Sequence, residues 1–270
     1  MPLFVLQIRK QGWIDSRWVR RVTPARRSIL SGSLCVLLFL GCASHAQDKC
    51  NVEIKILLSP TQTQTAIAAL NFKKEAAGRV YFFDTSALDL LAQGLIIRLR
   101  QGADGDLTIK LRPPETKSLV PSNIGEGVDC EVDLIGGVAT PSYTVRSRYT
   151  ARRLPETGTE IQKLLNAGQE KLVSQAQMHI DWSRIKRIAD IRATSWQTKA
   201  QPGFSKLTLE LWEWSGGRIL ELSTKVGPDA GPATYSQLQQ LMKAKGLSLN
   251  SIQRAKTSMV LETFAPTAPH

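Results

Sequence analysis

The feature that most constrains this chain is a two-residue alternation, repeated in at least six short segments, with apolar side chains on one face and charges on the other. In 51–57, Val52, Ile54 and Ile56 alternate with Asn51, Glu53 and Lys55. In 95–100, Leu95, Ile97 and Leu99 alternate with Arg98 and Arg100, and in 106–112 Leu107, Ile109 and Leu111 alternate with Thr108, Lys110 and Arg112. Val132 and Leu134 oppose Glu131 and Asp133. Later, Leu207, Leu209 and Leu211 oppose Thr208 and Glu210, and Leu220 and Leu222 oppose Glu221, Ser223 and Lys225. A period of two is the mark of a β-strand buried on one face only. Segments around 80–84, 143–149 and 185–192 supply the remaining strands.

Helices are fewer. The spacing predicts them over 62–76 (Ile67, Leu70, Phe72), 159–178 (Ile161, Leu164, Leu165, Leu172, Val173), 235–245 and 249–261. Their apolar stripes suit them to covering the apolar sheet faces. Residues 102–106 form a turn, and Gly216-Gly217 between two strands signals a hairpin. Pro113-Pro114 ends the Lys110 strand, and 113–127 reads as a loop. With 270 residues, 42% hydrophobic and 21% charged, and no internal repeat, one domain over 50–262 is the economical reading.

Residues 1–46 read as an N-terminal extension and signal peptide. Arg26 and Arg27 precede the apolar run 29–41, which is short for a membrane span of about 20 residues. Ser44-His45-Ala46 fits a signal-peptidase site, whereas Phe39-Leu40-Gly41-Cys42 resembles a lipobox that would leave Cys42 lipidated; Sec-type export ranks above a Tat signal. The expected location is therefore periplasmic or extracellular. Removing this extension lowers the formal net charge from +12 to +6. A moderately basic protein points to a polyanionic partner without saying which. Of four cysteines, a chain cut after Ala46 keeps Cys50 and Cys130. Each begins a strand-like segment, so a disulfide between adjacent strands is expected; two unpaired thiols at strand edges are the alternative.

For a single strand, a charged face is usually a solvated one. The combination argues otherwise, because Arg98, Arg100, Lys110 and Arg112 come from two strands joined by a short turn. Like charges on neighbouring strands repel. An anion among them would relieve that repulsion, and guanidinium groups match phosphate oxygens bidentately. Other chemistries lack a basis: His45, His179 and His270 are too scattered for a zinc site or a catalytic triad, and no P-loop occurs. Trp212 and Trp214 share a strand face, where packing beneath a covering helix is favoured over stacking on a ligand.

The segments NVEIK, YFFDTSALDLLAQGLIIRLRQ, DLTIKLR, LTLELWEW and ILEL resemble a CYTH domain of the triphosphate tunnel metalloenzyme superfamily. The most specific part is Asp84-Thr85, Leu88, Leu91, Gly94 and Leu95, then Arg98, Arg100 and Lys110. Lys256-Thr257-Ser258 resembles the closing helix of the family with its lysine. The resemblance implies an α+β fold: a closed antiparallel eight-stranded β-barrel, or tunnel, with a polar interior, covered outside by amphipathic helices. It implies Lys55, Arg98, Arg100, Lys110, Arg112, Arg192 and Lys225 as phosphate ligands. It further implies Glu53, Glu210 and Glu221 as ligands of Mg or Mn, with Glu131 and Asp133 as further metal- or water-orienting carboxylates. Glu53, Lys55 and Glu210 would be catalytic. Two positions depart from the family pattern: Asn51 and Ser223 stand where it has acids, removing charge that a divalent cation favours.

The implied activity is metal-assisted hydrolysis of a tri- or polyphosphate; the alternative is a catalytically degenerate polyanion-binding protein. The implied partner is a phosphate-rich small molecule or polyphosphate. Nucleic acid is disfavoured, because a basic surface protein would carry its charge outside the fold. Membrane attachment enters only through the signal peptide or a lipid at Cys42.

Overall fold

The computed structural model describes residues 50–265 apart from 104 and 114–126. The export signal, the lipobox reading at Cys42, His45, His270 and most of the 113–127 loop lie outside the described residues.

The elements run in the order β1 (Asn51–Leu58), α1 (Thr63–Ala69), β2 (Lys73–Asp84), α2 (Asp89–Ala92), β3 (Leu95–Gln101) and β4 (Asp106–Leu111). They continue with β5 (Asp129–Ile135), β6 (Val138–Arg148), α3 (Gly158–Gln162), α4 (Ala167–Gln175) and β7 (Lys186–Gln201). The chain ends with β8 (Phe204–Trp214), β9 (Gly217–Val226), α5 (Gly231–Ala244) and α6 (Lys256–Glu262). The strands close into a barrel in the order β1-β5-β6-β4-β3-β2-β7-β8-β9.

The expected eight antiparallel strands are therefore corrected to nine in a mixed barrel. Neighbours cannot alternate in direction all the way round a closed ring with an odd number of strands, so one parallel contact is obligatory. It falls between β1 and β5, where Asn51 faces Glu131 and Glu53 faces Asp133. The β5–β6 hairpin creates this seam. Gly136 and Gly137 both have positive φ (59° and 84°) in its two-residue turn, which turns β6 back between β5 and β4. Cys50 and Cys130 form a disulfide across the same seam, with their Cα atoms 5.0 Å apart.

Three helical expectations shorten for local reasons. The first helix stops at Ala69 because Asn71 takes φ 53° and the chain enters β2. The 159–178 run splits into α3 and α4 at Asn166, whose side chain accepts from Gln169 N while Gln169 Oε1 accepts from Asn166 N. This capping box starts a new helix within an unbroken apolar pattern. Before α6, the chain is irregular: Gln253 spans the end of β1, accepting from Leu57 N at 2.9 Å and donating to Leu57 O at 2.8 Å. The Asp84 carboxylate accepts from the Leu90 and Leu91 amides, both at 2.9 Å, and so fixes the start of α2.

The outward faces of the strands carry two apolar clusters. Ile54, Ile56, Leu209 and Leu222 pack under Ala66 of α1 and Leu238 and Met242 of α5. Leu95, Ile97, Ile109 and Val145 pack under Ile161 of α3 and Leu172 of α4. Truncating a fully buried member such as Leu238 would cost about 2–5 kcal/mol. A third cluster lies inside the barrel at one end, where Leu57, Val80, Phe82, Trp212 and Ile219 meet Val260 and Leu261 of α6. Trp212 thus packs beneath a covering helix, and Trp214 Nε1 donates to Thr263 Oγ1 at 3.0 Å.

Candidate functional site

Alternation points every second residue inward. Glu53 and Lys55 of β1, Arg98 and Arg100 of β3, Asp106, Thr108 and Lys110 of β4, and Glu131 of β5 therefore line one cavity. Ser195 and Gln197 of β7, Glu210 of β8, and Glu221, Ser223 and Lys225 of β9 complete it, with Arg112 just beyond β4 and Lys256 of α6. The cavity measures about 380 Å³, within the range of small-molecule sites. With α6 and the inner apolar cluster closing one end, the cations grade from deep to open. The Lys55 and Lys110 side chains are 12% and 15% exposed, against 37% for Arg100 and 54% for Lys225.

Two ionic clusters organise the interior. In the first, Asp133 accepts from Lys55 Nζ at 2.7 Å, from Lys110 Nζ at 3.0 Å and from Arg112 Nη2. Lys55 also pairs with Glu53 at 2.9 Å, and Lys225 pairs with Glu131. Burial alone would raise the Asp133 pKa, but Lys55, Lys110 and Arg112 together outweigh it and hold the group far below the carboxylate range. Glu53 is lowered in the same way, Lys55 and Lys225 outweighing burial. For Lys55, burial acts downward but Glu53, Asp133 and Glu221 prevail, so its pKa rises. Lys110 goes the other way: burial first, then the neighbouring Lys55 charge, bring it down to about 8 despite Asp133.

In the second cluster, the β8–β9 register sets Glu210 opposite Glu221. Lys256 Nζ bonds Glu210 and lies 2.7 Å from Glu221 Oε1, above the Trp212 ring at 4.5 Å from its centroid. Arg100 approaches Glu210 at 3.7 Å. Burial opposes ionisation of Glu210 most strongly, yet Lys256 and then Arg100 bring it down to about 2. Nearby, Arg98 donates to Thr108 Oγ1 at 3.1 Å and lies 3.7 Å from Asp106. Burial and the adjacent Arg100 push the Arg98 pKa down to about 9, so it stays charged at neutral pH.

Of the residues expected in the site, Lys55, Arg98, Arg100, Lys110, Arg112 and Lys225 share the cavity. Arg192 does not: Ala189 and Ile191 set the inward parity of β7 as odd, so Arg192 faces an outer groove with Arg79, Asp190 and Glu213. The expected metal set also separates. Glu53 groups with Glu131 and Asp133, their carboxylate oxygens within 4.8 Å of one another, while Glu210 and Glu221 enclose Lys256. Three clustered carboxylates are the hard oxygen donors that Mg or Mn takes, so this first set fits such an ion. Sequence reasoning missed Asp106 and Arg146, both of which line the cavity, and the counter-ion role of Lys256. Asp106 carried a signal, because it stands in alternation with Thr108 and Lys110.

The donors outnumber their acceptors. Arg98 Nε and Arg112 Nε are buried without a hydrogen-bond partner among the described residues. Orphaned buried donors of this kind are costly and call for an acceptor.

No protein-family model matches the chain, and no curated protein matches it. Solved structures do. HpAC1 from Hippeastrum, a candidate adenylyl cyclase described as having a dominant triphosphatase activity, is 18% identical with a TM-score of 0.55. The match covers 80% of this chain and 96% of HpAC1. A candidate adenylate cyclase from Bacillus halodurans is 15% identical with a TM-score of 0.51, over 78% of this chain and 97% of the other. Together with the ion-lined closed barrel, these likenesses show that the chain shares the closed-barrel fold of these two proteins, as expected from its resemblance to the triphosphate tunnel superfamily.

Proposed function

We propose that the tunnel binds a tri- or polyphosphate and hydrolyses it with a divalent metal ion, outside the cytoplasm. The observation that carries this reading is the set of buried cations around one cavity, two of which keep an Nε–H without an acceptor among the described residues. Phosphate oxygens supply acceptors and negative charge together. The triphosphatase activity described for HpAC1 supports the choice of anion. A disulfide across the β1–β5 seam supports an oxidising compartment, and with it the reading of residues 1–46 as an export signal.

In this reading Arg98, Arg112 and Lys110 hold the phosphates in the deep part of the tunnel, and Arg100 and Lys225 receive the rest of the chain at its open part. Glu53, Glu131 and Asp133 would hold Mg or Mn, which when bound supplies positive charge to the phosphate oxygens. Hydrolysis forms a bond from water oxygen to the terminal phosphorus and breaks the bridging P–O bond. The leaving phosphate carries away the bond electrons, and the lysines and arginines neutralise that charge. Glu53 is the most exposed of the three carboxylates, at 18%, and is assigned the proton released by water.

A second reading, binding without turnover, has its own support: Asp133 is already held by three cations, and Asn51 and Ser223 supply no carboxylates. Phosphate release from tripolyphosphate and nucleoside triphosphates, with Mg²⁺ or Mn²⁺ against an EDTA control, separates the two. Metal-dependent release abolished in Lys110→Ala is the result expected. Binding without release would leave the second reading, and no binding would overturn both.

A further inference from the structure

Glu210 and Glu221 face each other across the β8–β9 pair, both inside the barrel and largely removed from water. Like charges directly opposite on neighbouring strands repel, and burial sharpens the repulsion. Such a pair needs a cation between its members. Three observations show what fills that place. The Lys256 ammonium bonds Glu210 and lies 2.7 Å from Glu221. The face of Trp212 lies beneath it. Val260 and Leu261, one turn further along α6, are fully packed into the inner apolar cluster and hold the helix in the barrel end.

We propose that Lys256 is a built-in cation occupying, between Glu210 and Glu221, the place a divalent metal ion would otherwise take. A covalently tethered ammonium does this without depending on metal concentration. It carries a single charge and offers no coordination site to phosphate oxygens, so the Glu210–Lys256–Glu221 clamp positions α6 and leaves anion binding to the other bases of the tunnel. Ser223, the next inward residue on β9, adds a neutral hydroxyl beside the pair and no further demand for positive charge. The inference stands on the geometry of the clamp and does not depend on turnover.

The test counts Mn²⁺ equivalents bound to the full chain, by electron paramagnetic resonance of free Mn²⁺, in wild type, Lys256→Met, Lys256→Gln and Lys256→Arg. The Met and Gln variants are expected to bind one equivalent more than wild type and the Arg variant no more. Adding Glu221→Gln to Lys256→Met should remove the extra equivalent. A folded Met or Gln variant with the same count as wild type would overturn the proposal. If both variants unfold, refolding in Mn²⁺ decides: recovery of structure supports the substitution of metal for ammonium, and no recovery overturns it. The reading is a difference between variants, so failure of wild type to bind metal or release phosphate counts against the proposed function and leaves this test intact.

Discussion

The two ionic clusters of the tunnel are inverse arrangements. Around Asp133, one carboxylate is shared by three cations, Lys55, Lys110 and Arg112; around Lys256, one ammonium is shared by two carboxylates, Glu210 and Glu221. The first leaves positive charge in excess and one donor, Arg112 Nε, without an acceptor among the described residues. The second consumes its cation internally and ties a helix to the barrel. One barrel interior therefore carries both a receptive surface and a closed clamp, distinguished by which sign is in the minority.

Removing the minority charge of the first cluster should have the largest effect. Asp133→Ala leaves three buried cations without their shared acceptor, and a loss of about 3–5 kcal/mol is expected in chemical denaturation. Tripolyphosphate should raise the melting temperature of this variant more than that of wild type, because the anion replaces the missing acceptor. A loss below about 1 kcal/mol would mean that water already satisfies the three bases singly.

The matching change in the second cluster is Lys256→Met, read through pH. In wild type the Glu210 pKa is lowered from its ordinary value to about 2. The stability this contributes, about 3 kcal/mol, is fully present above the unfolded value near 4.5 and is lost as pH falls towards 2. Without the ammonium, two opposed buried carboxylates favour taking up a proton, so stability of the variant should rise as pH falls from 7 towards 4.5. Denaturation midpoints across that range check the sign, and parallel curves for the two proteins would break the contrast between clusters.

Smaller effects belong to the anion. Lys110→Ala should weaken tripolyphosphate binding by about 10- to 100-fold, the worth of one charge-assisted hydrogen bond, as read by calorimetry. The wild-type affinity should itself fall as pH rises through about 8, where burial and Lys55 place the Lys110 pKa. Stability of the unliganded protein moves the opposite way: between about 8 and the ordinary 10.5 the unfolded chain holds the proton more tightly, so stability rises with pH. Opposite slopes for affinity and stability identify Lys110 as a group kept charged for a ligand.

Much of this architecture was legible because period-two alternation survives wherever one strand face is apolar. The inward sets of β1, β3, β4 and β9 follow from it directly. The far half of β7 was not legible, since its inward Ser195 and Gln197 are neutral and give no contrast with Thr194 and Thr198 outside. Helix breaks at Asn71 and Asn166 depend on a backbone dihedral and a pair of reciprocal hydrogen bonds, which apolar spacing does not register. The parallel seam is a property of ring closure and not of any segment. Lys256 could be matched to a closing helix, but its bond to Glu210, 46 residues away, is a fact of three dimensions.

Arg192 supplies the smallest expected effect and a sharp control. It was placed among the phosphate ligands by resemblance, yet on β7 it stands one residue from inward Ile191 and so points outward, across from Glu213 and Arg79. Arg192→Ala should change stability by no more than about 0.5 kcal/mol and tripolyphosphate affinity by less than about twofold. The outer groove it shares with Arg79 and Asp190 is an alternative basic surface near the barrel wall that such an anion could use. If Arg192→Ala weakened binding as much as Lys110→Ala, the anion would be held outside the barrel, and the excess charge around Asp133 would be a cost of the fold without a ligand to relieve it. An unchanged affinity beside a large Lys110 effect places the anion where strand parity puts the bases, inside.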